Sequence, residues 1–253
     1  MTIDVADKRA AFRALHGQGC FVLPNPWDIG SVRRLEALGF KALASTSAGC
    51  AFALGKLDYQ LSRDEVLDHL RMLCATTDLP VNADFEGGFA DAPDAVAANV
   101  TLAVETGVSG LSIEDRHAGG LYDMALAVDR IAAARAAIDY SGTGTVLVAR
   151  TEGFLIGRPD LEEVIARLTA FAAAGADCLY APGVRELDHV RAVVAAVAPK
   201  PVNVLMAWPG MRVGDLATAG ARRVSVGSAL ARAAWAGFDR WAGALAHEGA
   251  FPV

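Results

Sequence analysis

The chain has 253 residues, of which 53% are hydrophobic and 21% charged, so it can bury one large core or two small ones. Its formal net charge is −6, and its lysines and arginines are scattered along the chain. This distribution argues against a nucleic-acid or anionic-membrane surface. We expect a single domain over residues 1–253 whose partner is a small molecule.

The four cysteines are far apart and form no CxxC pair, which argues against a zinc knuckle or a redox motif. The N-terminal sequence MTIDVADKRAAFRAL has the pattern of an amphipathic helix rather than that of a signal peptide. No stretch reaches the ~18 apolar residues that a membrane span requires. The sequence therefore predicts a cytoplasmic protein with reduced thiols.

Short apolar runs alternate with longer helical patterns along the whole chain, which predicts strands and helices in alternation. The predicted strands lie at residues 21–24, 41–45, 80–84, 110–114, 145–150, 177–181, 201–205 and 222–226. The predicted helices follow near residues 28–38, 62–76, 92–106, 124–139, 160–174, 185–198, 212–219 and 228–246.

Four junctions share one pattern, in which an Ala- or Leu-rich helix end is followed by a glycine and then by an apolar strand. The glycines suit the position just after a helix, where a left-handed backbone costs glycine little. They are Gly39, Gly107, Gly175 and Gly220. Eight strand–helix units in about 250 residues predict an α/β fold, a (β/α)8 TIM-type barrel. A doubly wound sheet is disfavoured, because NPWDIGSV stands where a GxGxxG motif would follow the first strand.

Polar and charged residues gather at the carboxyl ends of the predicted strands, the face at which such barrels carry their active sites. The stretch PVNADFEGGF ends the third strand with Asp84 and Glu86 ahead of two glycines, which suits either an acidic surface turn or a divalent-cation site. Three more carboxylates follow the fourth and fifth strands, at Glu114, Asp115 and Glu152. Their repulsion would raise their pKa values unless a cation or an arginine compensates, and the oxygen-rich set favours Mg²⁺ over zinc.

Arg150 ends the fifth predicted strand, where its planar guanidinium would bind a substrate carboxylate. Arginine and metal together indicate an anionic substrate. Simpler interpretations stay open at this point. Glu114 and its neighbours could be a helix-capping cluster, and Arg150 with Glu152 could be a structural ion pair. His117 could be a solvated loop residue, and Trp27 could plug the mouth of the barrel.

These motifs resemble the isocitrate lyase and phosphoenolpyruvate mutase superfamily over nearly the whole chain. The matching segments, in order, are PNPWDIGSVRRLEALGFKALASTSAG, ALGKLD, VNADFEGGF, SGLSIEDR, VLVARTE, AGADCLYAPG, PVNVLM and GARRVSVGSALARAA. The resemblance implies a modified (β/α)8 barrel with Mg²⁺, or Mn²⁺ in its place, at the mouth. It also implies a reaction that makes or breaks a C–C or P–C bond next to an enolate.

We assign expected roles to individual residues from their positions and from this resemblance. The expected metal-shell acids, mostly acting through water, are Asp58, Asp84, Glu86 and Glu114. The expected substrate-binding residues are Trp27, Ser45, Thr46, Ser47, Ala48, Arg150 and Asn203. The expected catalytic residues are Arg150, Glu114 and His117.

Departures from the family pattern narrow the expected reaction. Asn82 stands where the aspartate that ligates the metal directly is expected, so that Asp84 or Glu86 would take its place. The segment RHAGGLYDMALAVDRI replaces the cysteine-containing loop of the C–C lyases, and Pro182 replaces an acidic or histidine residue. A shortened loop leaves the site more open and removes the usual proton donor.

We therefore expect a Mg²⁺-dependent lyase that acts on a small 2-oxo or 2-hydroxy di- or tricarboxylate, by C–C cleavage or decarboxylation of an oxaloacetate-like substrate. One alternative is P–C chemistry, as a phosphonopyruvate or phosphoenolpyruvate mutase or hydrolase. Another is a 2-oxo acid binding protein without catalytic activity.

The C-terminal sequence carries Trp235, Phe238 and Trp241 at roughly helical spacing. These aromatic residues could pack on their own barrel. Members of the family instead exchange the last helix between subunits and build tetramers from dimers. The resemblance thus implies a homo-oligomer, a dimer or a tetramer, with the C-terminal helix exchanged.

Overall fold

The computed structural model describes residues 3–252. The strands are β1 (Phe21–Leu23), β2 (Leu43–Ala44), β3 (Val81–Asp84), β4 (Gly110–Glu114), β5 (Arg116–His117), β6 (Gly120–Leu121), β7 (Val146–Arg150), β8 (Cys178–Tyr180), β9 (Val202–Leu205) and β10 (Arg223–Ser225). The helices are α1 (Val5–Leu15), α2 (Ile29–Ala37), α3 (Ser47–Ala53), α4 (Arg63–Thr76), α5 (Pro93–Glu105), α6 (Met124–Ser141), α7 (Leu161–Ala173), α8 (Leu187–Val197), α9 (Val213–Thr218) and α10 (Ala229–Glu248).

Eight strands pair in parallel in the order β1, β10, β9, β8, β7, β4, β3, β2. The backbone N–H of Ala44, in β2, donates to the carbonyl of Pro24, just after β1, at 3.0 Å. This bond links the two edge strands. The predicted (β/α)8 barrel is confirmed, and every predicted strand and helix is present with bounds within two residues of the prediction.

The four predicted helix-ending glycines are also confirmed. Each lies two residues after the last helical residue, directly after the C-cap, and their φ angles lie between +83° and +103°. At Gly175 and Gly220 the neighbouring side chains leave no room for a β-carbon, since one would lie 2.6 Å from Arg135 and 2.8 Å from Val194. Conformation and close packing therefore both require glycine at these two positions.

Alternate strand residues face the inside of the barrel, which is filled rather than hollow. An apolar cluster that includes Leu23, Val146 and Val148 lies inside, and α1 adds the fully buried ring of Phe12. A polar layer lies there too, in which Arg223 Nε donates to Asn203 Oδ1 at 2.9 Å. A filled interior leaves the carboxyl ends of the strands as the face on which a substrate can bind.

Two parts of the fold differ from the sequence prediction. No helix was predicted between residues 45 and 62, but residues 47–53 form the short helix α3, in which Thr46 Oγ1 accepts a hydrogen bond from the N–H of Gly49 at 3.2 Å and caps the helix. The shortened loop after β4 contains a small antiparallel hairpin of β5 and β6. None of the described helices is long and apolar enough to cross a membrane.

Candidate active site

Asp84 ends β3 and is held at the mouth of the barrel by the start of α3. Its Oδ2 accepts hydrogen bonds from the backbone N–H and the hydroxyl of Ser47, both at 3.0 Å. Its own N–H donates to Ser45 Oγ at 2.8 Å. Segment 45–48, predicted to bind the substrate carboxylate, therefore lies beside Asp84, and part of its hydrogen-bonding capacity is already used to position that residue.

Arg150, at the end of β7, lies at the centre of the acidic cluster. Its Nη1 is 3.0 Å from Glu114 Oε1 and 3.4 Å from Asp84 Oδ1, while Nε and Nη2 both donate to the carboxylate of Glu152. The ion pair between Arg150 and Glu152, one of the simpler interpretations of the sequence, is thus observed. Burial lowers the pKa of Arg150, but Glu114 and Glu152 outweigh that effect and raise it. Three carboxylates share one guanidinium, so the cluster carries an excess of negative charge when they are ionised.

Glu114, at the end of β4, is 2% exposed and accepts a second hydrogen bond from a residue that the sequence reasoning missed. The hydroxyl of Tyr59 donates to Glu114 Oε2 at 2.9 Å. Tyr59 has a left-handed φ of +63°, and the guanidinium of Arg116 lies 4.3 Å from the centre of its ring. Burial raises the pKa of Glu114. The one signal in the sequence that could have indicated Tyr59 was the position of this tyrosine next to Asp58.

Glu86 is the least satisfied acid of the cluster. It is 7% exposed, its φ is +46°, and its Oε1 is buried without a hydrogen-bond partner among the described residues. Burial, followed by the charges of Asp84 and Asp58, raises the pKa of Glu86 to about 8. Partial burial and Asp84 also raise the pKa of Asp58. A positive charge bound here would offset the repulsion that raises the pKa values of Glu86 and Asp58.

The arrangement fits a hard cation that keeps part of its water shell. Within residues 3–252, no three His, Cys, Asp or Glu side chains lie close enough together to form a complete ligand set. Mg²⁺ commonly retains several waters and takes one or two carboxylates directly. The partnerless oxygen of Glu86 and the excess negative charge suit such an ion. The residues that would hold it, or its waters, are Asp58, Asp84, Glu86 and Glu114.

Two asparagines lie deeper than the sequence analysis expected. Asn203 is 1% exposed; its Nδ2 donates to Ser225 Oγ at 2.9 Å, and its Oδ1 accepts from Arg223. This interior position does not suit the predicted substrate-binding role. Asn82, expected at the place of a direct metal ligand, also faces inward, and its Oδ1 is 3.3 Å from Arg223 Nη1. Asp84, two residues on, occupies the mouth instead.

Asp115 has a structural role in the site. Its carboxylate accepts from Thr151 Oγ1 at 2.7 Å, from the N–H of Glu152 at 3.0 Å and from Arg167 Nη1 at 3.2 Å. These bonds tie the end of β4 to the end of β7 and to α7. Because Glu152 is held through its backbone, its side chain is directed towards Arg150.

His117 lies in the β5–β6 hairpin, beside the acids rather than among them. The N–H of Gly119 donates to its Nδ1 at 3.1 Å, and its ring centre is 4.7 Å from that of Tyr122. His117 and Tyr122 line a cavity of about 320 Å³ together with Glu86 and Tyr59. Trp27, also expected to contact substrate, is half-buried beside α3, where a β-carbon on Gly49 would lie 3.1 Å from its own.

The fold and the site define a class of protein, a (β/α)8 barrel whose mouth gathers carboxylates around an arginine, which is an arrangement of enzymes. Comparison with known proteins identifies the family. The family model described as phosphoenolpyruvate phosphomutase matches residues 12–246. The chain belongs to this family, and the superfamily resemblance seen in the sequence is confirmed.

Two curated relatives resemble the chain. One, an uncharacterized protein of Mycobacterium tuberculosis strain ATCC 25618 / H37Rv, is 33% identical over 220 residues, which are 86% of this chain and 82% of the relative. The other, oxaloacetate decarboxylase 2 of Pseudomonas fluorescens strain Pf0-1, is 30% identical over 200 residues, which are 75% of this chain and 67% of the relative.

Two solved structures are similar over almost the whole chain. A protein of Burkholderia cenocepacia J2315, named only provisionally as a lyase/mutase, has 47% identity and a TM-score of 0.94, covering 98% of this chain and 90% of that one. Oxaloacetate acetylhydrolase in complex with the product oxalate has 27% identity and a TM-score of 0.89, with the same coverage of both chains. Members of the superfamily are lyases and mutases, which supports an enzyme of this type.

Proposed function

We propose that the protein is a Mg²⁺-dependent lyase that acts on a small 2-oxo or 2-hydroxy di- or tricarboxylate, by C–C cleavage or decarboxylation through an enolate. The observation that carries the proposal is the buried Glu86 Oε1, which has no hydrogen-bond partner within residues 3–252, in a cluster of acids that outnumbers its arginine. The relative named oxaloacetate decarboxylase and the similar structure of oxaloacetate acetylhydrolase support this substrate class.

When bound, Mg²⁺, or Mn²⁺ in its place, withdraws charge from the carbonyl oxygen of the substrate and so stabilises the enolate. Asp84 and Glu114 are fixed by Ser47 and Tyr59 and would hold the ion or its waters without rearrangement. Arg150 Nη2 carries two N–H groups and donates to Glu152 Oε2 at 3.1 Å, so its second N–H is the one that would bind an anionic substrate. Glu152 and Glu114 hold the guanidinium in place, so its positive charge is preorganised.

His117 is the proton donor that the geometry favours. Because Nδ1 accepts from the N–H of Gly119, the neutral ring carries its proton on Nε2. The hydroxyl of Tyr122, by contrast, donates to Asp91. His117 is exposed in the hairpin, so it can exchange protons with solvent between turnovers. A reaction that needs only protonation of an enolate is compatible with this single donor.

P–C bond chemistry on a phosphonate is the second candidate, favoured by the match to the phosphoenolpyruvate phosphomutase family model. Both candidates place an anionic oxo acid at the same acids and at Arg150. They differ in the bond that breaks, and products therefore distinguish them.

An activity screen with added Mg²⁺ tests the proposal. The substrates are oxaloacetate, isocitrate, 2-methylisocitrate, malate derivatives and phosphonopyruvate, with Asp84→Asn as the inactive variant and chelator as the metal control. We expect turnover of a carboxylate substrate that stops with chelator. Conversion of phosphonopyruvate alone, followed by ³¹P NMR, would favour the second candidate. Metal-dependent binding without any turnover would indicate a binding protein.

We also propose that the chain forms a homo-oligomer through α10. Along this helix only Ala231 is buried, while Phe238 is 62% and Trp241 43% exposed. An apolar aromatic face of this kind is typical of a subunit interface. The exchange of the helix between subunits, implied by the family resemblance, would cover it.

A further inference from the structure

The turn after β3, residues 86–91, has an unfavourable backbone conformation. Glu86 and Phe89 have left-handed φ angles of +46° and +55°, and Gly88 between them has a φ of +75°. Residues with a β-carbon rarely adopt this conformation, and it persists only where the surrounding structure fixes it. The position of Glu86 therefore depends on contacts that hold this turn. We call residues 86–91 the acid turn.

Arg130, on α6, binds the acid turn at both of its ends. The residue is only 1% exposed. Its Nη2 donates to the carbonyl of Gly87, and its Nη1 donates to the carbonyls of Ala90 and Asp91, the latter at 2.8 Å. The guanidinium carbon also lies 4.1 Å from the centre of the Tyr122 ring, which covers one face of the group. One buried guanidinium thus joins residues 87, 90 and 91 of the turn.

The guanidinium of Arg130 is directed entirely at the main chain. Within residues 3–252 its hydrogen bonds go to three carbonyl oxygens and none goes to a carboxylate. Gly87 permits the close approach, because a β-carbon there would lie 3.3 Å from Arg130 Nη2 and 3.2 Å from the carbonyl oxygen of Arg116. Hydrogen bonds from an ionised donor are stronger than neutral ones, so this contact holds the backbone of the turn firmly.

The rest of the acid turn is also bonded through its backbone, whereas its carboxylate is not. The carbonyl of Glu86 accepts from the N–H of Glu114 at 2.9 Å, and that of Gly88 accepts from Asn99 Nδ2 at 2.8 Å. Glu86 Oε1, by contrast, is buried without a hydrogen-bond partner among the described residues, and Glu86 lines the cavity of about 320 Å³. The turn is therefore fixed in a way that leaves this carboxylate available to a ligand.

We infer that Arg130 is a positioning residue that sets the cation affinity of the site by holding Glu86 in place through the acid turn. This inference rests on the proposed function, because it takes Glu86 to hold the cation or its waters. Groups that fix a metal-binding carboxylate commonly change metal affinity by about 10–100-fold when they are removed. The competing explanation is that Arg130 stabilises the fold in general, without a specific effect on Glu86.

Titration with Mn²⁺, in which the free ion is followed by electron paramagnetic resonance, tests the inference without any turnover. We expect Arg130→Met to weaken Mn²⁺ binding by about tenfold or more. Arg130→Lys keeps the charge, but one ammonium group cannot join both ends of the turn, so it should restore at most part of the affinity. Arg135→Met is the matched control, because Arg135 lies on the same helix and binds Asp177, just before β8, at 3.0 Å. Its Mn²⁺ affinity should equal that of the wild type.

The same substitutions in Glu86→Gln separate positioning from general stabilisation. If Arg130 acts through Glu86, Arg130→Met should change the affinity of Glu86→Gln for Mn²⁺ by less than about twofold. An equal loss of affinity in both backgrounds would overturn the inference in favour of the competing explanation. Urea unfolding in chelator shows whether each variant is folded, and Arg130→Lys replaces Arg130→Met in this comparison if the latter does not fold.

The wild type separates a failure of the inference from a failure of the proposed function. If the wild type does not bind Mn²⁺, the proposed function fails and the inference with it. If the wild type binds Mn²⁺ and the folded Arg130 variants bind it as tightly, the inference alone is overturned.

Discussion

Glu86→Gln isolates the energetic cost of the least satisfied acid in the site. Glutamine keeps the shape of the side chain but cannot ionise. In the wild type, the folded state raises the pKa of Glu86 to about 8 from an ordinary value of 4.5, because the carboxyl is buried and lies near Asp84 and Asp58. The substitution therefore changes how stability depends on pH more than it changes packing.

The raised pKa of Glu86 determines the direction in which stability changes with pH. The folded state holds the proton more tightly than the unfolded state, so the contribution of Glu86 to stability is fully present below pH 4.5 and is lost as the pH rises through 8. Each pH unit within this window corresponds to about 1.4 kcal/mol. Between pH 5.5 and 8.5 the metal-free wild type should lose about 3 kcal/mol of unfolding free energy relative to Glu86→Gln.

Urea denaturation at pH 5.5 and 8.5, in the presence of chelator, measures this difference. Glu105→Gln, at an exposed position on α5, is the matched control and should follow the wild type. Added Mg²⁺ should restore stability to the wild type at pH 8.5 and have a smaller effect on Glu86→Gln. If the unfolding free energies of the wild type and Glu86→Gln changed in parallel with pH, the reasoning would be refuted. It would also be refuted if Glu105→Gln differed from the wild type as much as Glu86→Gln does.

Three further predictions follow from the contacts of the site and from α10. Arg150→Gln leaves buried carboxylates without their partner and should destabilise the metal-free protein by about 3–5 kcal/mol. Thermal unfolding measures this loss, and added Mg²⁺ should reverse it in part. Tyr59→Phe removes the hydrogen bond to Glu114 and should cost about 1–2 kcal/mol in urea unfolding; an unchanged midpoint would contradict that role. Gel filtration should give a multiple of 26.3 kDa that falls towards the monomer in Phe238→Glu, whereas a monomeric wild type would disprove the oligomer.

The barrel could be predicted in detail because local signals agree with the global fold. Helix-ending glycines such as Gly39 and Gly107 each precede a strand, and apolar runs of strand length alternate with helical patterns. The acids at the strand ends could also be predicted, since parallel strands bring their carboxyl ends to one face. Asp84, Glu114 and Arg150 do lie in contact there.

The remaining features depend on contacts between residues far apart in the chain. Tyr59 reaches Glu114 across 55 positions, and no sequence pattern marks a tyrosine with a left-handed backbone. Asn203 was expected to reach the mouth, yet it lies two residues before the end of β9 and bonds Arg223 inside the barrel. Helix α3 was missed because its seven residues are too few to show a helical period.

Calorimetric titration of oxalate in the presence and absence of Mg²⁺ tests the central claim most directly. Oxalate carries the vicinal oxygens of a 2-oxo acid or its enolate and needs no proton donor to bind. We predict that it binds the wild type with Mg²⁺, that binding is lost with chelator, and that Asp84→Asn weakens it at least about tenfold. Binding of equal strength with and without the metal, unaffected by Asp84→Asn, would contradict the proposed metal-dependent site.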